Sequence, residues 1–403
     1  MRGFILAAAL LIAPQGFADE IVGFSAYQNG DYTTAYPHLM QAARDGNAEA
    51  MYLIGQMYQY GQGVTKDDAQ AMNWYQKSAE KNNALAELSL GFLYDLGEGV
   101  PQDFKKAFAW YTKAANQGNP IAQRNLGLMY STGDGVKVDH KMALKWFTKS
   151  AQQGYAKAQV NLAYNYIMGI GTEKNINKAL NWYQKAAEQG DAKAAYSLGL
   201  LYTGQEPGVV ADDKAAYYWF AQAANQGHMK AATYLAYYYL KGYGVEADAQ
   251  KAAYWYQVAA QGGDTDAQVE LGQLLLTGTG IDKDYEQAAF WFTKSAQQGN
   301  PTGQAKLAYM YLAGLGIKED RLTAYAWYKL AAEAKNPEAI KQLKSLQAKM
   351  SEDEITEGNK LAKKILDELK SAKVEEKETQ QKPAYNSICP SNNPVYSYAF
   401  LSI

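Results

Sequence analysis

Aspartate recurs along this chain at a spacing that could carry acid–base chemistry. Asp67, Asp103, Asp139, Asp212, Asp248, Asp284 and Asp320, with Asn175 standing in once, each lie seven residues before a tryptophan. Carboxylates brought together in pairs can protonate a leaving group and activate water, so the series must be weighed as a catalytic set. Beside it stand His38, His140 and His228, a single cysteine, Cys389, and a recurring Gly-x-Gly loop. The histidines fall in different segments and no serine or cysteine recurs near them, so no nucleophile is paired with a base. One cysteine excludes an internal disulfide and any cysteine-based zinc site. The Gly-x-Gly loop continues into neither a third phosphate-binding glycine nor Gly-Lys-Ser/Thr. Neither metal nor cofactor is expected.

The elements that carry these residues explain them better. The tryptophans are Trp74, Trp110, Trp146, Trp182, Trp219, Trp255, Trp291 and Trp327, spaced by 36 residues except for one step of 37. A fixed period of this length marks a repeat architecture. Eight units follow, over 48–83, 84–119, 120–155, 156–191, 192–228, 229–264, 265–300 and 301–336. Leu90, Gly91 and Tyr94 predict a first helix in the second unit, and Phe104, Ala107, Phe108, Tyr111, Ala114 and Ala115 a second. Each aspartate then falls where the second helix starts, as an N-cap whose oxygen accepts from orphan N–H groups. That reading removes the catalytic one, because the same residue recurs once per unit at the same structural place. Gly63, Gly99, Gly135, Gly171, Gly208, Gly244, Gly280 and Gly316, eleven residues before each tryptophan, supply a left-handed φ between the helices. One first-helix position is always small (Gly55, Gly91, Gly127, Ala163, Gly199, Ala236, Gly272, Ala308), which predicts close approach of a neighbouring helix. The tryptophans are expected in the core.

The chain has 403 residues, 48% hydrophobic and 20% charged, too apolar for a disordered polymer. Its 39 Lys and Arg against 41 Asp and Glu give a net charge of −2, so no basic field is expected and nucleic acid is excluded as a partner. Arg2, the apolar run from Phe4 to Ala13, Pro14 and the small residues Gly16 and Ala18 predict a signal peptide over 1–18, cut before Asp19. No later run is long and apolar enough to span a bilayer. Residues 19–47 keep the repeat phase at Asp31, Ala35 and Gly46, with Pro37 interrupting the helix, and are read as an N-terminal capping half-repeat. Residues 337–370, with a capping box at Ser351 and Glu354, are the C-terminal capping helices, and 371–403 a flexible tail.

The pattern Leu-Gly-x-x-Tyr, Gly-x-Gly-Val, Asp-x-x-x-Ala-x-x-Trp-Tyr, Ala-Ala-x-x-Gly, as in Leu90 to Gly118, resembles the Sel-one-like repeats, relatives of the tetratricopeptide repeat. The resemblance implies an all-α fold: a right-handed α/α superhelical solenoid of eight 36–37-residue helix–loop–helix repeats with capping helices at both ends. It also implies a groove lined by first helices, at the places three before and one after the small residue. Those places vary from unit to unit, and Tyr52, Phe92, Arg124, Leu128, Tyr164, Tyr196, Tyr237 and Tyr309 are the expected partner-binding residues. The function expected is a non-enzymatic scaffold, exported to the periplasm or secreted, monomeric, and holding a protein or peptide partner. Two alternatives follow from the resemblance. One is a secreted host-interaction factor of an intracellular pathogen. The other is a cell-wall or β-lactam-directed hydrolase, a role of cysteine-rich relatives whose cysteine pairs are missing here.

Overall fold

The computed structural model describes residues 15–381, with side chains from 20 to 372, and every described element is an α-helix. The chain divides into two compact units, one running to Ala186 and one from Ala187. In the first unit, the helices Gln15–Gln28 and Tyr32–Arg44 precede the first helices Ala48–Tyr60, Ala84–Leu96, Pro120–Thr132 and Ala156–Met168. These alternate with the second helices Asp68–Glu80, Phe104–Asn116, His140–Gln152 and Ile176–Glu188. In the second unit the first helices are Ala192–Tyr202, Met229–Lys241, Thr265–Thr277 and Pro301–Ala313. Their second helices are Asp213–Asn225, Ala249–Gln261, Tyr285–Gln297 and Arg321–Glu333, followed by Pro337–Gln347 and Glu352–Gln381. Within each unit, helices that follow one another in the chain pack together, pair upon pair. The fold class is an all-α solenoid.

Local chemistry starts and stops these helices as expected. All eight second-helix caps accept a backbone N–H: Asp139, for instance, takes those of Lys141 and Met142 at 3.0 and 2.9 Å, and Asn175 takes that of Lys178 at 3.0 Å. The carboxylates of Asp103, Asp248 and Asp320 are held below their ordinary range, chiefly by those N–H groups. First helices end on left-handed glycines such as Gly97 and Gly133. The loop glycine two residues later has a second duty. Gly135 has φ of 69°, and a Cβ there would overlap the carbonyl oxygen of Phe104, at the start of the preceding second helix. In seven of the eight repeats glycine lets the loop lie against the helix pair before it.

The core corrects the reading of the tryptophans. Only Trp146 and Trp327 are buried; the other six are half-buried. The fully enclosed ring is the next residue in each repeat: Tyr75, Tyr111, Phe147, Phe220, Tyr256 and Phe292 are at most 2% exposed, and Tyr183 and Tyr328 are buried as well. One residue turns the side chain by about 100° around a helix axis. Tyr111 therefore joins Ala107, Ala114 and Ala115 on the core stripe, while Trp110 is carried to its flank. The small first-helix residue admits the adjoining second helix, and this ring is what it meets. A Cβ on Gly91 would overlap the ring of Tyr111, and one on Gly127, Gly199 or Gly272 would meet Phe147, Phe220 or Phe292.

Buried polar side chains join successive pairs. Gln123, Gln159, Gln268 and Gln304 donate from Nε2 to the carbonyls of Ala115, Ala151, Ala260 and Ala296, at 3.1–3.4 Å. At the same place in the second repeat stands Glu87, 2% exposed, accepting from Gln117 Nε2 at 2.7 Å.

The ends differ from expectation. The N-terminal cap is a packed helix pair rather than a half-repeat, and Pro37 lies inside Tyr32–Arg44 without breaking it. The signal sequence lies largely outside the described residues, and the helix Gln15–Gln28 runs across the expected cut before Asp19. The capping box is present: Ser351 N donates to Glu354 Oε2 at 2.7 Å and Glu354 N to Ser351 Oγ at 3.2 Å. The helix it opens continues to Gln381, past the expected boundary at 370, through residues rich in good helix formers. Cys389 and the rest of the tail lie outside the described residues.

Candidate partner-binding face

First helices bury their small-residue side against the second helix of their own repeat, which leaves the opposite side to be shared with the next first helix. Two hydrogen bonds show that sharing. In the first unit Arg124 Nε donates to Asn161 Oδ1 at 3.1 Å, and in the second Lys306 Nζ donates to Gln273 Oε1 at 2.8 Å.

The eight expected site residues separate by column. The column three before the small residue is the more enclosed: Tyr52, Leu88, Val269 and Ala305 are buried and the other four members half-buried. Tyr52 is 2% exposed, tilted against Tyr75 at 5.7 Å, with its hydroxyl accepting from Gln56 Nε2 at 2.8 Å. It is a packing residue, and its place on an accessible groove is corrected here. Arg124 is half-buried and bound to Asn161 and Asn125, and desolvation pulls its guanidinium down from its ordinary value. Tyr196 stacks on His228 at 4.4 Å, and burial pushes its hydroxyl up to about 12. This column turns inward because it sits one helical turn from the small residue, toward the neighbouring pair.

The column one after the small residue is the more open, with three members exposed and five half-buried. Tyr164, Tyr237 and Tyr309 are 49%, 40% and 44% exposed. Phe92 and Leu128 are half-buried, Phe92 edge-on to Tyr111 at 5.6 Å. Sequence reasoning missed the residues one turn further on: Tyr60, Leu96 and Met168 are all exposed, each four residues beyond the open column. Their spacing of i to i+4 was the available signal. In the first unit Phe92, Leu96, Leu128, Tyr164 and Met168 thus form an apolar strip. Between Tyr164 and Met168, Asn165 is buried with its Nδ2 atom unpartnered, where Met57, Leu93 and Met129 occupy the same place in the preceding repeats. In the second unit Tyr237 meets Tyr238 and Tyr243 edge-on at 6.4 and 5.8 Å, beside the Glu270 carboxyl, which desolvation raises.

The candidate catalytic groups do not come together. His228 is a first-helix N-cap, its Nδ1 accepting from Ala231 N at 3.2 Å, and burial lowers its affinity for a proton. His140 opens a second helix and is exposed. Among the described residues no group of three His, Cys, Asp or Glu could hold a metal, and no helix is long and apolar enough to cross a membrane.

Comparison with known proteins decides the family. The Sel1 repeat matches residues 48–83, 84–119, 120–155, 156–191, 192–228, 230–264, 265–300 and 301–336. The chain belongs to the Sel1 repeat family. A Sel1 repeat protein from Oxalobacter formigenes is 34% identical over 77% of this chain and 90% of its own, with a TM-score of 0.61. A protective antigen present in uropathogenic Escherichia coli strains, described as displaying an SLR fold, is 29% identical over 94% of this chain and 89% of its own, with a TM-score of 0.50. No curated protein matches. Sel1 repeat proteins are scaffolds for protein interaction and are typically not enzymes.

Proposed function

We propose that this Sel1 repeat protein is a non-enzymatic scaffold that binds a protein or peptide partner along the open column of its first helices. The observation that carries the reading is the contrast between columns. The same eight helices bury their scaffold positions yet leave Tyr164, Tyr237 and Tyr309 wet, and the residues at this place vary from Gln to Leu to Tyr. Large amphipathic rings that no packing demand retains suit recognition, because tyrosine offers wide contact for few rotatable bonds. The N-terminal sequence supports export to the periplasm or beyond the cell. The likeness to a protective antigen of uropathogenic strains favours a second reading, a secreted factor that meets host molecules.

The test is capture of partners by the mature chain, compared with the double variant Tyr164→Ser, Tyr237→Ser. Loss of a specific partner with an unchanged melting temperature is expected. A partner retained at full affinity, or collapse of the fold, would remove this face from recognition.

A further inference from the structure

The net charge of −2 conceals a local asymmetry that corrects the expectation of no basic field. In the first unit, the second helices Asp68–Glu80, Phe104–Asn116 and His140–Gln152 carry Lys77, Lys105, Lys106, Lys113, Lys141, Lys145 and Lys149 against Asp68 and Glu80, 7 − 2 = +5. Their partner first helices, Ala48–Tyr60, Ala84–Leu96 and Pro120–Thr132, carry Arg124 against Glu49, Glu87 and Asp95, 1 − 3 = −2. The fourth second helix of the first unit, Ile176–Glu188, adds Lys178 and Lys185 against Glu188, 9 − 3 = +6 in all. In the second unit the four second helices carry five basic residues against three acids, 5 − 3 = +2. The basic face therefore belongs to one set of helices in one unit.

Its lysines are exposed and held in place. Lys77, Lys113, Lys149 and Lys185 lie over the rings of Trp74, Trp110, Trp146 and Trp182, at 4.2, 4.0, 4.3 and 4.5 Å from the ring centre, one rung per repeat. Lys145, one residue before Trp146, touches no indole. Among the described residues no carboxylate lies within ion-pair distance of Lys77, Lys113, Lys145 or Lys149, whereas Lys106 pairs with its cap Asp103 at 3.6 Å. The acidic caps Asp67, Asp103 and Asp139 stand at the N-terminal ends of these helices, engaged with backbone N–H groups and close to Lys105, Lys106 and Lys141, so the unopposed basic set is Lys77, Lys113, Lys145 and Lys149.

We infer that these second helices of the first unit dock on an anionic lipid surface. Charge complementarity gives the sign, and the arrangement gives the class. The ammonium groups spread over several helices instead of converging on a groove, which suits an extended charged plane better than a single ligand. Lys77, Lys113 and Lys149 also lie over indoles, and tryptophan and lysine are each residues that favour the headgroup region. No exposed ring stack of the kind that holds single-stranded nucleic acid lies on these helices. No long apolar helix is needed, because the contact is peripheral and electrostatic. Docked in this way, the unit keeps its first-helix strip free for a partner.

The test is co-sedimentation of the mature chain with phosphatidylcholine vesicles, with and without phosphatidylglycerol. Binding is expected only with phosphatidylglycerol, and it should weaken as salt screens the charges. The triple variant Lys113→Gln, Lys145→Gln, Lys149→Gln should bind about 100-fold more weakly, and the corresponding arginine triple variant should bind like the parent. If loss of the Trp146 contact unfolds the glutamine variant, Lys145→Gln alone must still weaken binding about fivefold. Equal binding to both vesicles, or unweakened binding by the glutamine variants, would overturn the inference. So would binding to soluble polyglutamate in preference to vesicles, which would make the partner an acidic chain instead.

Discussion

Tryptophan is the residue that announces the repeat, yet its neighbour holds the core. Tyr111 is enclosed on the stripe with Ala107 and Ala114, and the hydrogen on Gly91 is all that its ring leaves room for. Trp110 stays half-buried beneath Lys113. Replacing Tyr111 with Ala should therefore cost about 3–5 kcal/mol as a core deletion, and Trp110→Ala only about 1–2 kcal/mol, since much of the indole is already in contact with water. Denaturant titration of the two variants separates the roles. Equal losses would return tryptophan to the core. At this scale the aspartate caps were legible from type and position alone, whereas choosing between adjacent aromatic rings requires knowing the rotation of the helix.

Between elements, the join from one helix pair to the next runs through a buried amide in four repeats, and Glu87 is the exception that makes it pH-sensitive. Burial pushes the Glu87 carboxyl up, against the opposing pulls of Gln117 and Lys113; Glu80 and Lys81 are the charges at the end of the neighbouring helix. Its repeat equivalents donate to the preceding carbonyl, and only a protonated Glu87 could do the same toward Ala79. A carboxyl whose folded-state pKa is raised binds its proton more tightly when folded. Its stabilising contribution is complete below the ordinary glutamate range and is lost as pH rises through the folded-state value. Denaturation midpoints should therefore fall as pH rises from the ordinary glutamate range through the raised folded-state value, and Glu87→Gln should flatten that slope while raising stability at the upper end. A slope unchanged in the variant would assign the pH response to another group. The sequence places Glu87 in the glutamine register, but only the packed structure closes that site to water.

At the scale of the molecule, stability should be carried by neighbours. In stacked repeats each pair meets only the pairs before and after it, so distant deletions act independently. Tyr111→Ala and Phe292→Ala lie in different units and should sum to within about 0.5 kcal/mol in a double variant. Tyr111→Ala with Leu126→Ala, which share one cluster, should depart from the sum by more than that. Additivity in both doubles, measured by the same titration, would show that the cluster does not act as one. The charge pattern belongs to this scale too. A total of −2 is an average over helices of opposite sign, and it took the division into first and second helices to show where the lysines gather.

The chain by itself determined the period, the helix pair, the caps and the family, because each is a local rule repeated eight times and phase alone makes it visible. It also named the column of variable residues that includes Tyr164, Tyr237 and Tyr309. Tertiary structure decided which members of the expected groove stay open: Tyr52 and Tyr196 turn into the neighbouring pair, while Leu96 and Met168 emerge one turn beyond the column. It decided as well which aromatic ring fills each repeat and which face gathers charge. Spacing along a chain fixes which residues share a helix face, but burial is settled by what the adjoining helix brings to that face, and that is a property of the packed pair.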